Sequence, residues 1–254
     1  MTELTVDAES IAGILMAITR VAGVLLGAPQ FSRRLPTTGR VALATAVGLF
    51  LAVPLPVEAM TLARMISAIV VNLVVGLLLG FASTLILQMF IVAGGLLDLS
   101  SGLALSSIFD PLTGRPSTVF ERMFDLTAVT MFFILGGPHL LVAGIAGSVA
   151  AVPLAEAPQI DSSVADAVVE MVGRFFVAGL EIAMPAMAAL FLTEIVFGIA
   201  ARMMPEANLF LLGLPARVLV AIVGAGVVLL TFPTYVSGGI DEMERMLVGL
   251  INSL

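Results

Sequence analysis

Three ionisable residues, Glu170, Arg174 and Glu181, lie at helical spacing inside an apolar region of this sequence. Ionisable side chains at bilayer depth are costly unless they are paired or face water. Glu170 and Arg174 are four residues apart and can pair, whereas Glu181 lies about two turns further along the same stripe and needs another partner. Two roles for Glu181 stay open, a subunit contact and the lining of a polar conduit. Glu194 lies off the stripe, which excludes a paired-carboxylate acid/base site within this helix.

A serine hydrolase needs a base beside its nucleophile, and the sequence has a single histidine, His139. It follows Gly136-Gly137-Pro138 with no acidic residue nearby in sequence, which favours a turn or cap role over proton relay. Ser101 and Ser237 superficially suggest an intramembrane protease, but no other protease signature accompanies them. The absence of cysteine excludes a thiolate metal site, and no phosphate-binding loop or zinc motif is present. The sequence predicts neither an enzyme nor a cofactor.

The composition excludes an ordinary water-soluble domain. Of the 254 residues, 60% are hydrophobic and 11% are charged, against roughly 25% charged in soluble globular domains. The formal net charge is -7 and all 11 basic residues are arginine, so the chain offers no basic surface for nucleic acid. A helix needs about 20 mainly apolar residues to cross a bilayer, and the uncharged stretch between Arg64 and Asp98 is longer than that. A membrane protein is predicted.

The apolar stretches predict an all-α, polytopic integral membrane protein with about six long hydrophobic helical segments arranged as partly broken hairpins. The third segment exceeds one straight crossing, and the fourth has Gly136-Gly137-Pro138-His139 at its centre. Irregular backbone at membrane depth requires surrounding protein. The segments are Ser10–Ala28, Val41–Val57, Met65–Leu97, Leu126–Ala155, Phe175–Ala200 and Val218–Ile240. Polar connections are expected at residues 31–40, 58–64, 98–125, 153–174 and 201–217.

The arginines are unequally distributed between the two sides that six crossings define. By the positive-inside rule the richer side is cytoplasmic, which puts both termini outside. The first ten residues contain Glu3, Asp7 and Glu9 where a signal peptide carries positive charge, so we expect the first apolar helix to be retained. The richer side has Arg33, Arg34, Arg40, Arg115, Arg122, Arg202 and Arg217, and the other has Arg64, Arg174 and Arg245.

Small and polar residues recur every four positions along the third segment and form one helical ridge. Such a ridge lets another helix backbone approach closely and offers hydrogen bonds across the contact. Two interpretations stay open, packing within one chain and contact with neighbouring subunits. Arg20 in the first segment is expected to hydrogen-bond between helices. The ridge is Asn72, Gly76, Gly80, Thr84 and Gln88, and it continues through Gly94, Gly95, Asp98, Ser101 and Gly102.

Four blocks of sequence, in a fixed order, carry a resemblance to a known family. Across nearly the whole chain they resemble the FliR family of flagellar biosynthetic proteins and its relatives in virulence-type type III secretion. Glu206-Ala207 departs from the family's Gln and larger apolar residue, and Arg217 replaces a common Lys. The blocks are Arg20 with Ala28-Pro29 and Arg33-Arg34-Leu35-Pro36; Gln88 to Gly114, including Phe109-Asp110-Pro111-Leu112-Thr113-Gly114; Gly179 to Pro185 with Glu194; and Pro205 to Arg217.

The resemblance implies a subunit of the export gate in the bacterial inner membrane, within the flagellar basal body, and no enzyme activity. It implies FliP-like and FliQ-like subunits as partners in a hetero-oligomer, FlhB-like and FlhA-like components, and unfolded proteins as substrates. It also implies a single export-gate domain over residues 1–254, with a FliP-like part at 1–160 and a FliQ-like helical hairpin at 161–254. Such helices can lie inside the complex without crossing lipid.

The family further implies that the loop from Ser106 to Phe120 lies across the export pore and closes it. Its prolines prevent helix continuation, and it is more apolar than a solvated loop needs, although an ordinary surface turn stays the alternative. The plug residues are Ile108, Phe109, Asp110, Pro111, Leu112, Gly114, Arg115 and Phe120. The predicted helix-packing or subunit-contact residues are Asn72, Gly76, Gly80, Thr84, Gln88, Asp98, Glu181, Glu194 and Arg217.

Two other functions remain as alternatives. A homologous virulence-type secretion subunit would share most of these blocks, although Asn208 to Pro215 is more similar to flagellar members. A small-solute secondary transporter would also have broken helices and isolated charges, but it often has internal repeats, and the two halves of this sequence give no convincing repeat.

Overall fold

The computed structural model describes residues 8–28, 35–52, 61–104, 118–155, 162–204 and 209–253, and within these residues every regular element is a helix. The all-α class is therefore confirmed. In chain order the helices are α1 (Ala8–Gly27), α2 (Thr37–Ala52), α3 (Leu62–Ser101), α4 (Val119–Ile134), α5 (Gly137–Ala151), α6 (Ser162–Met203) and α7 (Leu209–Ser253).

The described parts of all six predicted apolar segments are mainly helical, but they differ in their capacity to cross a bilayer. Among the described residues, 3 helices are long and apolar enough, and a fourth span results if the bent pair α4 and α5 counts as one. The three are α3, α6 and α7. Helices α1 and α2 contain shorter apolar stretches, Ile11–Gly27 and Thr37–Ala52. On length and composition the described helices therefore support three or four crossings instead of six.

Three of the predicted polar connections are shorter in the structure, because the neighbouring helices extend into them. Helix α3 continues through Asp98 to Ser101, and α6 already begins at Ser162. Helix α7 begins at Leu209, so Arg217 is a helical residue and not part of a loop.

The predicted break in the fourth segment is confirmed at Gly136. Helix α4 ends at Ile134, and Gly136 has a φ of 83°, in the left-handed region that suits glycine. Helix α5 begins at once, with Pro138 in its first turn, where the missing N–H leaves no intrahelical bond unmade. A Cβ at Gly136 would meet nothing within 4 Å, so the backbone conformation alone requires glycine here.

The chain forms two compact units. Unit 1 comprises Met1–Leu85, Gly136–Met171 and Asp241–Leu254, and unit 2 comprises Ile86–Leu135 and Val172–Ile240. In unit 2 an aromatic cluster fills the core, with Phe232 ring centroids 4.5 Å from Phe90 and 4.9 Å from Phe124. The division into a FliP-like part and a FliQ-like hairpin at residue 160 concerns likeness to other proteins and stays a prediction.

Candidate functional site

A fully buried arginine organises unit 1. The Arg20 guanidinium donates from Nε to Asn72 Oδ1 at 2.8 Å and from Nη1 to the carbonyl oxygens of Ser148 at 2.8 Å and Val152 at 2.9 Å. Arg20 and Asn72 are both 0% exposed. The predicted interhelix hydrogen bond of Arg20 is confirmed, and it joins α1 to α3 and to the end of α5.

In the part of the chain that the structure describes, carbonyl and amide oxygens are the hydrogen-bond partners of Arg20. Ser148 lies in the last turn of α5, and Val152 is its C-cap residue. Free carbonyls at a helix C-terminus carry partial negative charge, so a cation there is stabilised. Asn72 adds to the same cluster, because its Nδ2 donates to the Leu154 carbonyl at 2.9 Å. The cluster therefore fixes the end of α5 to α1 and α3.

The small-residue ridge of α3 packs within the chain. A Cβ added at Gly76 would overlap the Arg20 carbonyl oxygen, and one at Gly80 would overlap that of Val24. The two backbones are thus in direct contact, and Thr84 Oγ1 donates to the Gly27 carbonyl at 3.1 Å. For Asn72, Gly76, Gly80 and Thr84 the structure thus shows packing against α1 within the chain, and a contact of these residues with a neighbouring subunit stays a prediction. Gln88 is half-buried in unit 2, and its role as a contact stays a prediction.

Asp98, a residue of α3, caps the N-terminus of α4. Its carboxylate accepts hydrogen bonds from the Phe120 N–H at 3.2 Å and the Glu121 N–H at 2.9 Å, and Asp98 is 0% exposed. The local N-cap residue, Thr118, makes no side-chain cap hydrogen bond. Asp98 thus satisfies free N–H groups at a helix N-terminus, where a negative charge is also favoured.

Gly94 lets the two helices meet. A Cβ at this position would lie 2.6 Å from Glu121 Cα, so α3 and α4 are in backbone contact one turn before Asp98. Phe120 is buried at 4% exposure in the first turn of α4. Phe120 thus lies in α4 and not in the loop, because the helix capped by Asp98 begins at Val119, and its role in the plug stays a prediction. The other predicted plug residues, Ile108, Phe109, Asp110, Pro111, Leu112, Gly114 and Arg115, lie outside the described residues.

An ion pair joins the two long helices of unit 2. Arg217 Nη2 lies 3.0 Å from Glu194 Oε1, with side chains 32% and 60% exposed respectively. Close packing supports it, since a Cβ at Gly224 of α7 would lie 2.8 Å from Ala186 Cβ of α6. Both residues were expected at contacts, and the structure brings them together as partners.

The remaining candidate residues are not gathered into one site. Glu181 and His139 are exposed on the single chain. His139 forms part of a turn, since its backbone N–H donates to the Gly136 carbonyl at 2.9 Å. The hydroxyls of Ser101 and Ser237 donate to the carbonyls of Asp98 at 3.1 Å and Thr234 at 3.0 Å.

Sequence reasoning missed Ser148 and the carbonyls that follow it. Ser148 is a polar residue inside an otherwise apolar helix, and its Oγ lies 3.4 Å from Arg20 Nη1. This polar residue was the sequence feature from which a contact at Ser148 could have been predicted. The main partners of Arg20 and Asn72, however, are the backbone carbonyl oxygens of Ser148, Val152 and Leu154. Every residue has a backbone carbonyl, so the sequence does not show which of them accept these hydrogen bonds.

Comparison with known proteins tests the resemblance carried by the four blocks. The family model for Bacterial export proteins, family 1, matches residues 11–243. The chain belongs to this family. The match includes Arg20, the α3 ridge, Asp98 and the Glu194–Arg217 pair, so the polar contacts described above lie within the residues that the family model covers.

Relatives of this family 1 export protein come from flagellar and virulence-type systems. The flagellar biosynthetic protein FliR of Pectobacterium carotovorum subsp. carotovorum is 24% identical over 238 residues, covering 92% of this chain and 91% of that protein. FliR of Bacillus subtilis (strain 168) is 28% identical over 151 residues, covering 59% and 58%. The surface presentation of antigens protein SpaR of Shigella sonnei is also 28% identical over 151 residues, covering 59% and 58%. The predicted resemblance to the FliR family is confirmed.

Proposed function

We propose that this chain is a structural and gating subunit of the flagellar type III protein export gate in the bacterial inner membrane, and not an enzyme. With FliP-like and FliQ-like subunits it forms a pore for unfolded flagellar proteins, next to FlhB-like and FlhA-like components. The observation that carries the proposal is the alignment with proteins named FliR over most of the chain. The virulence-type alternative is represented by SpaR, whose alignment covers less of the chain.

The surfaces of α6 and α7 agree with a role inside an assembly. Large apolar side chains are exposed on both helices, including Phe176 at 60%, Phe191 at 63% and Leu230 at 81%. Apolar surface of this extent requires lipid or protein to cover it. Glu181 lies among these residues on α6 and is itself exposed. A buried partner from another subunit would satisfy its carboxylate, as intramembrane ionisable residues require.

Co-purification tests the assembly. Expressed with FliP-like and FliQ-like proteins, the chain should elute with both in a stoichiometric complex, because its exposed apolar faces then become buried. Glu181→Ala should weaken this complex more than Glu181→Gln, which keeps hydrogen-bonding capacity. A chain that is monodisperse and stable without partners would instead support a small-solute transporter. Glu181 variants that assemble normally and yet abolish export would favour a polar conduit at this position.

Ion leakage tests the gate. A pore that passes unfolded protein must still retain ions at rest, and an apolar plug excludes water while allowing substrate to displace it. Deleting residues 107–117 spares Thr118, the N-cap residue of α4, and should preserve assembly while depolarising the membrane. A shortened connection at residues 156–160 is the control and should stay ion-tight. A complex that lacks residues 107–117 and remains ion-tight would contradict the plug assignment.

Motility distinguishes the flagellar function from the virulence-type alternative. Deletion of the gene should abolish swimming and flagellar filament assembly, and the wild-type chain should restore both. Loss of host-directed secretion with normal motility would support the virulence-type alternative.

A further inference from the structure

An apolar groove runs between α1 and α2 on the surface of unit 1. Its walls are aliphatic, with Ala22 and Leu26 on α1 and Val41 and Ala44 on α2, and its volume is about 240 Å³. Below the groove the two helices touch, since a Cβ at Gly48 would lie 2.7 Å from the Ile18 Cα. This contact bounds the groove on one side.

Arg40 lines this groove beside Thr37. Its Nη2 donates to Thr37 Oγ1 at 3.3 Å, and its Nε is buried without a hydrogen-bond partner. Among the described residues no carboxylate forms a salt bridge with Arg40. The groove thus combines an aliphatic slot with a positive charge whose hydrogen-bonding capacity is only partly used.

We propose that this groove binds an anionic phospholipid, with one acyl chain in the slot and the phosphate on Arg40. An acyl chain is apolar and slender, and the groove is smaller than the roughly 300–1,000 Å³ of compact-ligand pockets. The rim favours lipid as well, because Leu26 and Val41 are 59% and 61% exposed.

The charge of Arg40 matches an anionic headgroup. Arginines near a membrane surface attract anionic lipid, each by about 1 kcal/mol. The proposal concerns this lipid alone and does not depend on the export pore.

The experiment compares lipid retention in the full-length chain. The protein is reconstituted in nanodiscs with equal amounts of phosphatidylglycerol and phosphatidylethanolamine, released, and examined by native mass spectrometry. The wild type should retain phosphatidylglycerol in preference to phosphatidylethanolamine. Arg40→Gln should reduce that preference about fivefold, because one cationic contact is lost, whereas Arg40→Lys should largely keep it. Arg202→Gln, which changes an exposed arginine outside the groove, is the matched control and should leave it unchanged.

A second variant tests the slot separately from the headgroup. Ala22→Leu fills the groove from a half-buried position and should reduce retention of both lipids, while thermal unfolding confirms that the protein is folded. The proposal is overturned if the wild type retains no lipid, if it retains the two lipids equally, or if Arg40→Gln and Arg202→Gln behave alike. It is likewise overturned if folded Ala22→Leu retains lipid as the wild type does, or if Ala22→Leu instead prevents binding of a partner subunit.

Discussion

Arg20 and Asn72, 52 positions apart in sequence, form one hydrogen-bonded pair that is fully buried and that binds the carbonyl end of α5. Asp98 provides the opposite arrangement at the amino end of α4. Each charge has the sign that its helix end favours. The broken segment from Val119 to Ala151 is therefore held at its outer ends by two buried charges, a guanidinium at one and a carboxylate at the other.

The Arg20–Asn72 pair should contribute measurably to stability. Asn72→Leu removes one acceptor of the guanidinium and the donor to Leu154, and should cost about 1–3 kcal/mol. Arg20→Met should cost at least as much, because several carbonyls lose their partner. The double variant should cost less than the sum of the two, since both changes act on one cluster.

Thermal unfolding of the purified chain in detergent measures these effects. Thr19→Ala is the control, because that hydroxyl donates only to the Leu15 carbonyl of its own helix. Strictly additive costs for Arg20→Met and Asn72→Leu would show that the two side chains are not coupled.

The contact between α1 and α3 should tolerate no side chain at Gly80. Gly80→Ala puts a methyl group against the Val24 carbonyl, and the two backbones must separate, at a cost of about 1–3 kcal/mol or more. Gly95→Ala in the same helix is the control, since its Cβ would meet nothing within 4 Å. The measurement is the steady-state level and unfolding temperature of the chain without partners. Equal behaviour of the two variants would contradict close packing at Gly80.

Features of the fold that depend on side-chain patterns could be predicted from the sequence, whereas contacts that depend on a distant partner could not. The ridge from Asn72 to Thr84 and the break at Gly136 are side-chain patterns, so their positions were predicted. The partner of the ridge was not, because small residues permit close approach without specifying which helix approaches. The end of α3 and the start of α4 were misplaced for a related reason. Asp98 caps a helix 21 positions beyond it in the chain, and helix-end signals in a sequence are local.

Asp98 should determine where α4 begins. Asp98→Ala leaves the N–H groups of Phe120 and Glu121 without an acceptor in a buried place, and should cost about 1–3 kcal/mol. Asp98→Asn keeps one acceptor oxygen and should cost less. Hydrogen exchange of the Phe120 and Glu121 amides is the direct measurement, and both should exchange faster in Asp98→Ala. Ser100→Ala, whose hydroxyl donates to the Leu96 carbonyl of its own helix, should leave these two amides unchanged.

Variants of the Glu194–Arg217 ion pair test whether the exposed side of unit 2 is in contact with water. In water an ion pair of this exposure would contribute roughly 0–1 kcal/mol. The pair lies in two helices that are apolar enough to cross a membrane, where an unpaired charge is far more costly. Glu194→Ala should therefore lower the amount of chain in the membrane strongly, and the exchange of both residues, Glu194→Arg with Arg217→Glu, should restore most of it. Arg245→Ala provides the comparison, because Arg245 pairs with Glu242 three residues earlier and is 73% exposed. If Glu194→Ala proved as mild as Arg245→Ala, this part of α6 and α7 would be in contact with water.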